Sequence, residues 1–245
     1  MPSPLATEIS ATVGAIAALG LAAGGFAYAA RWPASRIFGR ALIAPRRPGE
    51  LALTFDDGPN PLWTPRFLEI LSRHNLRATF FLVGAFAQRE PDLVRQIASA
   101  GHFVGNHSWS HPDLALASRD RIREELARTS QTLEKITGLP VRFFRPPFGS
   151  RRPSVLRIAR DLGLQPVLWN AMTSDWSEPS SDRIAQRLAG KIDRLERRGR
   201  AATVVLHDGN HLNQSANRQP SVAALEQLID RYRDSHRFVS LDEWI

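Results

Sequence analysis

Residues 51–59 read Leu51-Ala52-Leu53-Thr54-Phe55-Asp56-Asp57-Gly58-Pro59, a short apolar run that stops at two carboxylates and a Gly-Pro turn. A parallel strand covered by helices on both faces has no solvated side, so its sequence is a continuous apolar run rather than an alternation. Further brief runs of this type lie at Thr79–Val83, His102–Gly105, Arg142–Phe144, Pro166–Trp169, Thr203–Leu206 and Arg237–Val239. Between them are amphipathic stretches at Pro65–His74, Pro91–Ala100, Ser118–Thr137, Pro153–Leu162, Ser181–Arg198 and Pro220–Asp230, with Thr64-Pro65 suited to a cap followed by proline in the first turn. The alternation predicts an α/β architecture with about seven parallel strands, as an incomplete barrel or an open doubly wound sheet.

Upstream, Ile9–Ala30 carries no formal charge. At about 1.5 Å per helical residue it would cover roughly 30 Å, the thickness of a bilayer's hydrocarbon. Residues 1–30 are therefore read as an N-terminal apolar helix and membrane anchor. Two readings compete: a cleaved signal peptide with Ala27-Tyr28-Ala29 as its small-x-small site, and an Ala-rich helix packed on the domain. Residues 31–49 interleave Arg31, Arg36, Arg40, Arg46 and Arg47 with Pro33, Pro45 and Pro48, a basic linker. The folded domain is expected over 50–245.

The 245 residues carry 32 Lys+Arg against 24 Asp+Glu, a net charge of +8 that suits anionic surroundings. No finger, recognition-helix or aromatic RNA-binding signature accompanies that charge, so a nucleic-acid function is not expected. The chain has no Cys, which rules out disulfides and thiolate ligands. Any transition-metal site must use His and carboxylates.

The polar residues suited to chemistry fall at strand ends. Asp56 and Asp57 follow the first run, His107 and His111 the third, Arg145 the fourth, Asp175 the fifth, and His207 closes the sixth. Barrels and open α/β sheets both build their active sites at that rim. Neighbouring residues of an extended chain point to opposite sides, so Asp56 and Asp57 can serve one centre only if the turn brings them round. His107-Ser108-Trp109-Ser110-His111 sets two imidazoles four residues apart, able to chelate one ion from a loop. Two His with one Asp leave open positions, the mark of a catalytic rather than a structural site. Arg145-Pro146-Pro147-Phe148-Gly149 is a rigid turn whose prolines can aim N–H groups at an oxyanion. Asp175 is read as orienting His207, with Trp176 and Leu206 walling a small apolar pocket.

Five ordered motifs, TFDDGP at 54–59, HSWSH at 107–111, RPPFG at 145–149, SDW at 174–176 and VLH at 205–207, give the chain from about Glu50 to Ile245 its resemblance to the polysaccharide deacetylases, the NodB-homology domain of the family 4 carbohydrate esterases. The resemblance implies a distorted (β/α) barrel that removes acetyl groups from GlcNAc-containing polymers such as peptidoglycan or chitin, or less often O-acetyl groups from xylan. It implies one divalent ion, Zn²⁺ foremost with Co²⁺ or Ni²⁺ as alternatives, on Asp57, His107 and His111. Asp56 is then the base, His207 the acid, Arg145 the partner of Asp56 and Asp175 that of His207. Pro147, Phe148, Trp176 and Leu206 are the expected substrate contacts. Phe148 stands where the family usually has Tyr, which keeps a backbone N–H and removes a phenol. An ester or formamide hydrolase on the same residues, a carbohydrate-binding relative without turnover, and a metal phosphodiesterase are the competing readings. The Arg cluster after the apolar segment favours a cytoplasmic catalytic domain; polymer substrates outside the membrane favour the reverse.

Overall fold

The 51–59 stretch is the central strand of one parallel sheet in the computed structural model, which describes residues 20–245. In chain order the strands are β1 (Glu50–Gly58), β2 (Thr79–Leu82), β3 (Phe103–Asn106), β4 (Phe143–Phe144), β5 (Gln165–Pro166), β6 (Ala171–Met172), β7 (Ala202–His207) and β8 (Arg237–Val239). The helices are α1 (residues 20–31), α2 (Thr64–Arg73), α3 (Gly84–Arg89), α4 (Pro91–Ser99), α5 (Arg119–Thr137), α6 (Pro153–Asp161), α7 (Ser181–Glu196) and α8 (Gln219–Tyr232). All seven anticipated runs overlap a strand, although Pro166–Trp169 shares only Pro166 with β5; β6 is additional.

Pairing runs β5-β4-β3-β2-β1-β7-β6, with β8 beside the start of β1. The two outermost strands of that order, β5 and β6, are separated in the chain only by residues 167–170. The sheet's edges must therefore come back together, and the α/β architecture is an incomplete barrel rather than an open sheet. Alternation along β1 sorts its side chains. Leu51, Leu53 and Phe55 join the core under the helices, while Ala52 joins a smaller core with Phe81, Phe143, Val167 and Val239. Thr54 and Asp56 share the parity of Ala52, so the acid at the strand end is turned inward.

Local chemistry departs from the expected helix start at Thr64. Trp63 occupies the cap position of α2 without a capping side chain, and the Thr64 hydroxyl instead accepts the Asn60 N–H and donates to Asp208. Buried beneath the turn after β1, that hydroxyl has better partners than the helix end.

The 31–49 stretch is bound to the barrel. Arg151, buried, donates to the carbonyls of Ala30, Gly149, Trp32, Pro33 and Ser35. Leu42 bridges to Val167, the Ile43 carbonyl accepts from the Thr203 hydroxyl, and the Pro45 carbonyl accepts the Ala201 N–H. Folded structure thus begins before Glu50. Among the described residues no helix is long and apolar enough to cross a membrane. The expected apolar helix falls largely on residues 1–19, outside those described.

Candidate active site

β1 delivers both acids to one centre by changing conformation between them. Asp56 is extended and in register with His207 of β7, whereas Asp57 is left-handed at φ 71° and the β1–β2 register shifts there. That residue in the left-handed region swings the second carboxylate round to the rim that the first already faces. Gly209 packs so closely on this turn that a Cβ would lie 1.9 Å from the Asp57 carbonyl oxygen.

The His107–His111 loop is held from behind. Asn106 accepts the Ser108 N–H and donates to the Leu126 carbonyl of α5. Buried Glu125, also on α5, accepts the N–H groups of Trp109 and Ser110 and the Ser110 hydroxyl. Ser108 and His111 take positive φ, 63° and 56°, which non-glycine residues hold only when their surroundings fix them.

Asp57 Oδ1 lies 3.3 Å from His107 Nε2 and 3.1 Å from His111 Nε2, all three residues being buried. His107 Nδ1 must donate to the Arg145 carbonyl at 2.8 Å, because a carbonyl only accepts. In the neutral ring Nε2 is then a bare lone pair aimed at a carboxylate oxygen that has no hydrogen-bond partner of its own. Two acceptors facing each other in a buried site call for a cation between them. Ligands about 2.0–2.1 Å from a tetrahedral ion are roughly 3.3 Å apart, and the observed spacing fits. Burial pushes His111 down, with Asp57 only partly opposing. An ionised carboxylate and a neutral imidazole are the forms that bind metal.

Arg145, fully buried at the end of β4, donates to Asp56 Oδ1 at 2.6 Å and to the Thr54 hydroxyl at 2.8 Å. Its guanidinium lies 4.2 Å from the centre of the Phe81 ring. It therefore sits under Asp56, inside the barrel, rather than in the cleft. Opposite, His207 Nδ1 donates to Asp175 Oδ1 at 2.8 Å, and Asp175 Oδ2 accepts both the His207 N–H and the Ser221 hydroxyl. Burial disfavours charge on His207, but Asp175, helped by Asp57 and Asp56, more than offsets this and lifts its pKa to about 9. The remaining nitrogen, Nε2, is left for the cleft.

These groups line one cavity of about 320 Å³, with Asp56, Asp57, His107, His111 and His207 joined by Pro146, Phe148, Trp169, Met172, Trp176, Asn210 and His211. Phe148 and Trp176, about half exposed, stand at the rim. Pro147 is buried and it is Pro146 that faces the cavity, in a tight loop where Phe148 takes the left-handed φ of 57°. Leu206 is fully buried in the core under the helices, having the parity of Phe55 with which it pairs, and does not line the cleft. His211 escaped sequence reasoning, although it stands four residues after His207, the same interval as in HSWSH.

A model of the polysaccharide deacetylase family matches residues 44–167. A peptidoglycan-N-acetylglucosamine deacetylase of Bacillus cereus is 36% identical over 202 residues, covering 82% of this chain and 70% of that protein. A chitooligosaccharide deacetylase of Sinorhizobium fredii is 36% identical over 188 residues, covering 74% and 85%. Among solved structures, a peptidoglycan N-acetylglucosamine deacetylase superposes with a TM-score of 0.73 at 34% identity, covering 83% of this chain and 91% of that one. A CE4 family pseudoenzyme from Bacillus anthracis superposes with a TM-score of 0.74 at 30% identity, covering 83% and 68%.

Proposed function

The chain belongs to the polysaccharide deacetylase family, and from that membership we propose that it is a metal-dependent hydrolase removing N-acetyl groups from a GlcNAc-containing carbohydrate of peptidoglycan or chitooligosaccharide type. The observation that carries the proposal is the buried Asp57–His107–His111 cluster facing the same cleft as Asp56 and His207. A divalent ion held by those three residues would polarise the acetyl carbonyl and acidify water. The identity of the ion is set by N and O donors alone, which suits Zn²⁺, Co²⁺ or Ni²⁺.

In this reading Asp56 accepts the proton of the attacking water, its carboxylate kept ionised and aimed by Arg145. An amine leaves only when protonated, and His207, charged at neutral pH through Asp175, supplies that proton from Nε2. The turn at Phe148 offers a backbone N–H to the oxyanion; losing one such donor typically costs about 3–4 kcal/mol. Trp176, edge-on to His207 at 5.0 Å between ring centres, forms an apolar wall for the acetyl group or sugar.

A non-catalytic reading has one observation in its favour, the similarity to a CE4 family pseudoenzyme. Against it stands the acid–base pair, for which a binding module has no use. Metal-reconstituted protein is to be assayed against acetylated chitooligosaccharides, peptidoglycan and acetyl-xylan. Acetate release with a free amine left on sugar supports the proposal. Release from xylan alone makes the protein an O-acetyl esterase, and binding without release makes it a pseudoenzyme. Membrane association through residues 9–30 is a further part of the proposal, supported by the exposed apolar Leu21, Phe26, Tyr28 and Trp32 where α1 leaves the domain. Recovery of full-length protein in the soluble fraction without detergent would refute it.

A further inference from the structure

Among the described residues lining the cleft, His211 is the one ionisable group without a part in the chemistry above. Its ring lies parallel to that of His111, with centres 4.0 Å apart and planes 18° apart, and it meets Phe148 edge-on at 5.4 Å. Its Nδ1 is 3.4 Å from Asp57 Oδ2. The Asp57 carboxylate is thereby divided: Oδ1 faces both His107 and His111, and Oδ2 faces His211. The loop that carries His211 is tied down on both sides. Asn210 accepts the N–H groups of Leu212 and Asn213, Arg218 donates to the Gly209 carbonyl, and Gln214 donates to the Pro59 carbonyl.

We propose that His211 is a positioning residue of the metal site, donating Nδ1–H to the outer oxygen of Asp57 and roofing the His111 ring so that the carboxylate presents Oδ1 alone to the ion. An unheld carboxylate can rotate, chelate with both oxygens or swing away, and each motion loosens the site. A hydrogen bond to the outer oxygen fixes one orientation, and removing partners of this kind typically lowers metal affinity about 10–100-fold. His211 is not grouped with the three ligands, whose donor atoms all lie within 4.8 Å of one another. Its part is therefore to hold a ligand rather than to be one.

The inference rests on the metal reading of the Asp57–His107–His111 cluster, and the experiment separates the two. Co²⁺ is titrated into the full-length protein against a chromogenic chelator, and the visible spectrum of the bound ion is recorded. Four proteins are compared: wild type, His211→Ala, His211→Phe and His211→Asn. Asn offers an N–H near the position of Nδ1, while Phe keeps the roof and drops the donor. His211 is partly exposed at 24% on a loop, so all three variants should fold, which far-UV circular dichroism checks. The expected result is a loss of about 10–100-fold in Co²⁺ affinity with a changed spectrum for Ala and Phe, and recovery of both by Asn. Wild-type affinity and spectrum in His211→Ala would overturn the proposal, and so would failure of Asn to rescue, which would make His211 a direct ligand or a mere packing element. A wild-type protein that binds no Co²⁺ would instead remove the metal reading itself.

Discussion

Asp56 and Asp57 are adjacent in the chain and have opposite surroundings, which makes their proposed roles separable. Asp56 is hydrogen-bonded to a buried guanidinium, while Asp57 faces three imidazole nitrogens. Asp57→Ala should strip the metal together with activity. Asp56→Asn should retain the metal and lose roughly 10²–10⁴-fold in rate, the usual contribution of a positioned base. Metal content measured beside turnover decides it, and a metal-free Asp56→Asn protein would reverse the assignment. His207 carries a second test. Its pKa is raised to about 9, chiefly against burial by Asp175, so its acid form is present below that value and activity falls as pH rises through it. A cation on Asp57 cancels that residue's share and draws the limb somewhat lower. Asp175→Asn removes the larger share and should move the basic limb of kcat/KM further down by a measurable step; a limb that stays in place would show that it belongs to another group.

At the level of elements, the loop between β3 and α5 depends on one carboxylate that contributes nothing to the cleft surface. Glu125 accepts two backbone N–H groups and a hydroxyl from the loop bearing both imidazoles. The donors on Trp109 and Ser110 are only partly buried and regain water in part, so Glu125→Ala should lower the unfolding free energy by roughly 1–3 kcal/mol and weaken metal binding as well. Urea denaturation of the metal-free protein and metal titration measure the two effects, and a variant as stable as wild type would exclude the role. Nothing in the spacing of Glu125 announced it, since a lone acid on an amphipathic helix reads as surface. The strands were legible because buried parallel strands are continuous apolar runs, as in β1, β2 and β7. β6 was not, since Ala171-Met172 lies between Asn170 and Thr173 and forms no apolar run of its own, and α3 was not, since Gly84–Arg89 is shorter than two helical turns. The placement of Leu206 failed for a related reason: the rim position of VLH was evident, but strand parity turns Leu206 to the core and His207 to the cleft. The His107–His111 pair with a carboxylate was legible because metal chemistry restricts residue type and spacing, and the choice of Asp57 over Asp56 came with the family resemblance. His211 was not, because its part depends on a loop fold that no local pattern encodes.

For the whole molecule, the stretch before Glu50 joins parts of the barrel that are far apart in sequence. Its backbone carbonyls satisfy Arg151 just beyond Gly149, its Leu42 pairs beside β5, and its Pro45 and Ile43 carbonyls reach the start of β7. Carbonyl acceptors carry no side-chain signature, which is why a run of Arg and Pro looked like a linker. The strap spans the seam between the two ends of the strand order, where β5 and β6 form no ladder, touching Val167 after β5 and Ala201 and Thr203 at the start of β7. Two truncations separate strap from anchor. Removing residues 1–19 leaves every one of these contacts and should leave metal binding, activity and Tm unchanged, while transferring the protein to the soluble fraction if residues 9–30 hold it at a membrane. Removing residues 1–49 strips Arg151 of four of its five carbonyl partners and opens the seam. Solvent then replaces part of what is lost, so a cost of roughly 3 kcal/mol is expected, about 6–12 °C in Tm for a domain of this size. The loss should be felt first at the Phe148 turn, three residues from Arg151, and so in kcat more than in metal affinity. Calorimetry and metal titration of the two truncated proteins distinguish these outcomes. A 50–245 fragment that melts and turns over like the full chain would show that the strap is only laid on the barrel and does not hold it closed.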